Sequence, residues 1–107
     1  MASQQADRLI QMNVFKPKRG RAGDFVAMQL DRLPRFGDVQ GLLASRMYRA
    51  IDDSQVILVS EWDHEPSVRR FVESADFQVH RSRVRLLLES ANPNFYTLVY
   101  ERRGAQI

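Results

Sequence analysis

The stretch Gln55–Asp63 (Q-V-I-L-V-S-E-W-D) sets the strictest condition on how this chain can fold. Successive side chains of a strand point to opposite faces. Val56, Leu58 and Trp62 therefore share one face, while Ile57 and Val59 share the other. Both faces are apolar over most of the length. Such a strand belongs in the interior of a sheet and needs cover on both sides. The rest of the chain must be read for what supplies that cover.

Leu9–Lys16 (L-I-Q-M-N-V-F-K) alternates as a first strand, with Ile10, Met12 and Val14 on one face and Leu9, Gln11, Asn13 and Phe15 on the other. K-P-K-R-G-R then turns the chain through Pro17 and Gly20. From Arg21 to Leu33 the residues Phe25, Val26, Met28, Leu30 and Leu33 recur at helical spacing, and Pro34 marks the end. Leu42–Ile51 reads as a second strand and Asp52-Asp53-Ser54 as a hairpin turn leading into the apolar third strand. Asp63 or Glu65 suits the cap of a short helix from Pro66 to Glu73, with Val68, Phe71 and Val72 inward. Ser74 or Asp76 suits the cap of another, running from Asp76 to Glu89 with the stripe Phe77, His80, Val84, Leu87 and Leu88. Asn92-Pro93-Asn94 is read as its break, Phe95–Glu101 (F-Y-T-L-V-Y-E) as the last strand, and Arg102–Ile107 as a frayed tail.

At 107 residues the chain is expected to be a single domain over 1–107 with its core across 9–101. Its 44% hydrophobic content suits a globular fold, and no apolar run has the length of a membrane helix. Met1–Asp7 is polar and lacks a signal-peptide core, so the expectation is a cytoplasmic protein. With no cysteine, disulfides, thiolate metal sites and cysteine nucleophiles are excluded. The net charge of +3 is only a small bias towards anionic partners.

The order strand, helix, strand, strand, helix pair, strand is that of the α+β ferredoxin-like split βαβ fold, a four-stranded antiparallel sheet with helices on one face. The other face of the third strand then lacks cover within the chain. A homodimer packed sheet against sheet supplies it, since extensive bare apolar surface is uncommon on a soluble monomer. On the helix side, Trp62, Phe71, Phe77 and His80 are expected to converge under one patch of sheet. Plain packing is the alternative reading of the same residues: a tryptophan at a strand end fills a core, and a histidine on an apolar stripe is commonly a hydrogen-bonded core residue.

The strand ending S-E-W-D, the short helix after it, the segment S-A-D-F-Q-V-H-R and the closing F-Y-T-L-V-Y-E resemble the antibiotic biosynthesis monooxygenase domain over Leu9–Glu101. The resemblance implies a dimeric α+β barrel with a pocket between sheet and helices in each subunit. One branch of that family oxidises anthrones and related phenols to quinones with no cofactor. The substrate's own carbanion supplies the electrons, and the protein binds the ring, assists proton removal and excludes water. Trp62 matches that branch's tryptophan, while Leu58 stands where it carries asparagine and Val68 where it carries tyrosine. A second branch opens haem. Asn13 and His80 resemble its asparagine and iron-binding histidine, and Phe71 takes the place of its tryptophan.

The expectation is a cofactor-independent monooxygenase of electron-rich aromatics, needing no metal. His80 would assist proton transfer and Asn13 would bond a substrate oxygen or dioxygen, with Trp62, Phe71 and Phe77 shaping the pocket. That reading requires a hollow beside Trp62 and His80. The alternatives are a haem-binding or haem-degrading enzyme and a non-catalytic dimer that binds a small hydrophobic ligand. Single-stranded RNA binders share the strand order, and Phe15 with the basic K-P-K-R-G-R loop could serve one. The third strand, however, lacks their glycine- and aromatic-rich signature, which argues against nucleic acid.

Overall fold

The computed structural model describes residues 8–105. The expectations for the polar amino end at 1–7 and for the last two residues, 106–107, lie outside the described residues. Four strands, β1 (Leu9–Pro17), β2 (Leu42–Arg49), β3 (Val56–Trp62) and β4 (Leu88–Tyr96), form one sheet in the order β2-β3-β1-β4. Every neighbouring pair is antiparallel. The helices are α1 (Ala22–Arg32), α2 (Glu65–Val72) and α3 (Ala75–Val84). This is the ferredoxin-like arrangement, and β3 is an interior strand as its two apolar faces require.

The carboxyl half departs from expectation in where helix becomes strand. The helix α3 stops at Val84, a short 3-10 turn spans Arg85–Leu87, and β4 begins at Leu88. Asn92, Pro93 and Asn94 lie inside β4, opposite Val14, Asn13 and Met12 of β1. An edge strand has one unpaired side and so tolerates proline. Pairing with β1 overrides the local turn signal. Phe95–Glu101, expected to be the strand, contributes only Phe95 and Tyr96 to it.

Pro34 also does more than stop α1. It sits near the start of a 3-10 turn, Leu33–Phe36, which carries Phe36 to the helix-covered face before Gly37 (φ 67°) releases the chain. Gly41 has to be glycine: its φ is +86°, and a Cβ there would lie 2.2 Å from the Ser67 hydroxyl oxygen. The bare backbone lets β2 start against α2, where the Asp63 N–H donates to the Gly41 carbonyl.

The apolar core lies between sheet and helices at one end of the strands. Phe15, Phe25, Val56, Val84 and Leu87 are all buried, and the Phe15 and Phe25 rings are 4.8 Å apart. The expected stripe of α1 is shifted. Leu30 is 61% exposed, whereas Gln29 is buried beside Phe25.

Candidate functional site

The other end of the same layer holds most of the residues the sequence singles out. Ser74 caps α3 by accepting a hydrogen bond from the Phe77 N–H at 3.3 Å. The cap of α2 is His64, with no side-chain bond, so neither Asp63 nor Glu65 serves. Asp63 instead accepts hydrogen bonds from the Ser67 hydroxyl (2.6 Å) and the His64 N–H (2.6 Å). The Ser67 hydroxyl first, then the His64 ring at 2.7 Å, with the backbone N–H adding to them, lower its pKa from 3.8 to about 2. The His64 ring is largely exposed.

Once anchored, the two helices bring their aromatic rings together. Trp62 lies 5.9 Å from Phe71, and Phe71 lies 4.9 Å from Phe77. Phe36 bridges to the remaining partner, with its ring edge-on to Phe71 at 5.2 Å and to His80 at 5.7 Å. Trp62, Phe71, Phe77 and His80 thus belong to one continuous run of rings. Phe36 is the rung that sequence reading missed, because the L-P-R-F segment carries no periodicity to place it.

His80 is 4% exposed, and its Nε2 meets the buried Oε1 of Gln29 at 2.5 Å. An amide oxygen can only accept. Nε2 therefore carries the proton and Nδ1 keeps the lone pair, a tautomer set by Gln29. Burial pushes the His80 pKa below its ordinary 6.5, and the nearby positive charges of Arg32 and Arg83 push the same way. The imidazole is accordingly neutral at physiological pH. A polar residue at helical spacing from Phe25 was the available signal for Gln29.

Trp62 is also buried, and its indole N–H donates to Gln11 Oε1 at 3.2 Å. Gln11, Asn13 and Phe15 alternate on one face of β1, the face turned to the helices. Asn13 therefore points into the layer, where its Oδ1 is buried without a hydrogen-bond partner. No hydrogen bond joins Asn13 to His80 or to the aromatic run.

The hollow expected beside Trp62 and His80 is displaced outward. A groove of about 210 Å³ is lined by Phe36, Gln40, Ser67, Arg70, Phe71 and Asp76 among others, and by neither Trp62 nor His80. Phe36 and Gln29 occupy the space against the imidazole, so the groove meets the aromatic run only at Phe36 and Phe71. A second cavity, about 560 Å³, lies at the opposite end of the sheet between the Lys16–Gly20 turn and the Asp52–Ser54 hairpin.

The residues present do not fit haem. Nε2 of His80 is taken by Gln29 and so is not free to ligate iron, and no cavity of haem size adjoins the ring. Among the described residues no three His, Asp or Glu side chains converge as a metal site. Phe15 is buried in the core and cannot stack on a base. No helix among the described residues is long and apolar enough to cross a membrane.

Solved structures share this architecture. A conserved protein of Methanosarcina mazei superposes with a TM-score of 0.78 at 14% identity, over 88% of this chain and 95% of its own. SnoaB, a cofactor-independent oxygenase of Streptomyces nogalater, gives 0.78 at 20% identity, over 90% and 97%. Rv0793 of Mycobacterium tuberculosis gives 0.75 at 13% identity, over 90% and 99%. Identities this low establish the common fold and nothing finer. No curated protein matches in sequence. The sequence pattern of the antibiotic biosynthesis monooxygenase family does match, over residues 8–83, from the first strand through the helix that carries His80. With the family's fold present and its pattern matched over well more than half of the chain, the chain belongs to the antibiotic biosynthesis monooxygenases.

Proposed function

We propose that this protein is a cofactor-independent monooxygenase that converts an electron-rich aromatic of the anthrone or phenol type to a quinone. The observation that carries the reading is a buried, neutral imidazole at the inner end of an aromatic run whose outer end, Phe36 and Phe71, floors a groove. A flat aromatic entering from that groove meets ring faces first and His80 last. Displacement of Phe36 brings it within reach of the imidazole. Family membership and the fold shared with SnoaB support the same chemistry.

The reaction needs little from the protein. Nδ1 of His80 takes a proton from the substrate, and the electron pair stays on the ring system as a resonance-stabilised carbanion or phenolate. That anion passes one electron to dioxygen, the radical pair combines to a peroxide anion, and the imidazolium of His80 returns its proton to give the hydroperoxide and the neutral base. Loss of water leaves a carbonyl, so one oxygen atom enters the product and the other leaves as water. Trp62, Phe71 and Phe77 hold the ring and exclude solvent, and the orphaned Oδ1 marks Asn13 as the side chain free to bond a substrate hydroxyl or, through its amide N–H, dioxygen. A chain without cysteine suits work in the reducing cytoplasm.

The active unit in this reading is a homodimer joined through the sheet faces that carry no helices. Ile10, Met12, Val14, Ile57 and Val59 alternate onto that face of the two central strands. Beyond β4, Val99 and Tyr100 are strongly exposed and suit a second copy. The test is oxygen uptake with the anthrone dithranol in buffer stripped of metals. One dioxygen consumed per quinone formed is expected. An uptake no faster than that of the protein-free solution, across a panel of anthrones and naphthols, would remove the oxygenase reading.

A further inference from the structure

Gln29 is not the only residue of α1 that bears on His80. Arg32, three residues later on the helix, is one of the two charges that act on the imidazole. Its guanidinium carbon lies 5.5 Å over the Phe36 ring, and that ring is in turn edge-on to His80 at 5.7 Å. The Arg32 Nε is buried and has no hydrogen-bond partner. The adjacent carboxylate, Asp31, pairs with Arg35 instead. Among the described residues Arg32 is in no ion pair. A buried guanidinium N–H left unpaired beside a neutral base is costly, and an anionic oxygen is the group that satisfies it best.

We propose that Arg32 is the anion-binding residue of this site, holding the oxyanion that remains on the aromatic substrate once His80 has taken its proton. The inference rests on the oxygenase reading for the proton step but assigns the site a ligand class of its own, acidic phenols and enols. The charge arithmetic explains why. Proton transfer breaks the substrate's O–H or C–H bond, forms N–H at His80 and leaves the electron pair on the substrate. A cationic imidazolium then stands beside Arg32 and Arg83, an arrangement both guanidinium groups oppose. A substrate anion placed among the three charges reverses the sign of each contact. Neutral aromatics that cannot ionise gain nothing from Arg32.

The bland role for Arg32 is that of a basic residue in the last turn of a helix, resting on Phe36. Such a role predicts a change in stability with no change in ligand charge preference. The deciding measurement is titration of the full-length protein with picrate, ionised at neutral pH, against its uncharged methyl ether. Binding is read from quenching of Trp62, the chain's single tryptophan. Wild type is expected to favour picrate by about tenfold or more, the scale of one hydrogen bond to a charged group. Arg32→Gln should abolish that preference while leaving the ether unaffected, and Arg32→Lys should keep part of it. Equal affinity for both probes in wild type, or no binding of either, overturns the proposal. So does an unchanged preference in folded Arg32→Gln, or in Arg32→Met if the glutamine variant does not fold. Because binding is read without turnover, Arg32-dependent picrate binding with no anthrone oxidation would sink the oxygenase reading alone. Anthrone oxidation with an Arg32-independent preference would sink only the anion site.

Discussion

The layer between sheet and helices has two ends of opposite character. At one, Phe15, Phe25, Val56, Val84 and Leu87 pack as an apolar cluster. At the other, a run of four aromatic rings ends at a histidine held by a buried glutamine, and the layer also holds an asparagine oxygen and an arginine N–H that are buried and unpaired in the protein. Burying apolar side chains stabilises a fold without specifying chemistry. Burying an unpaired polar group costs about 1–3 kcal/mol, which an apolar side chain in its place would recover. The first end therefore supplies stability, and the second gives some of it up for polar groups that find no partner within the protein. The same sheet carries both because strand alternation turns Gln11, Asn13 and Phe15 to one face, and only their position along β1 decides which end they serve.

The largest expected effect separates the two ends most sharply. His80→Ala should lower the rate of anthrone oxidation by about 10²–10⁴-fold, the usual worth of a positioned acid–base group, with the variant still folded by circular dichroism. An unaltered rate would return His80 to the core. Phe25→Ala tests the other end. It removes a fully buried ring and should cost about 3–5 kcal/mol in urea unfolding, while the folded fraction keeps its specific activity. Loss of activity in folded Phe25→Ala would show that the two ends are one unit.

The smallest effect is in pH. The folded-state pKa of His80 is depressed, so between that value and 6.5 the unfolded chain binds more protons. Thermal stability should hold above 6.5 and fall as pH drops below it, and His80→Ala should flatten that slope. Asp63, held at about 2 against an ordinary 3.8, acts in a separate acid window. Its contribution is present above 3.8 and lost as pH falls towards 2, and Ser67→Ala should weaken it. A single transition spanning both windows and untouched by either substitution would contradict the assignment.

Much of the site was legible in the sequence because it rests on periodicity. His80 follows Phe77 at helical spacing, and Trp62 ends an alternating strand, so their placement on the helix-covered face follows from pattern alone. The rest depended on contacts between distant segments. Gln29 and His80 are 51 residues apart and nothing local pairs them. Phe36 reaches the rings only because Pro34 bends the chain into a 3-10 turn. The last strand was misplaced because Asn92-Pro93-Asn94 is turn chemistry by itself and becomes strand only when laid against β1.

The order and type of the elements and the interior position of β3 were determined by the sequence, since alternation and helical repeat are local properties of the chain. Which imidazole nitrogen carries the proton, that Arg32 lies over Phe36, and that the hollow opens at Phe36 and Phe71 instead of at Trp62 were decided by the tertiary structure. Those features arise from packing between α1, the turn after it and α3. The free energy of such packing belongs to pairs of distant residues, and no stretch read singly contains it.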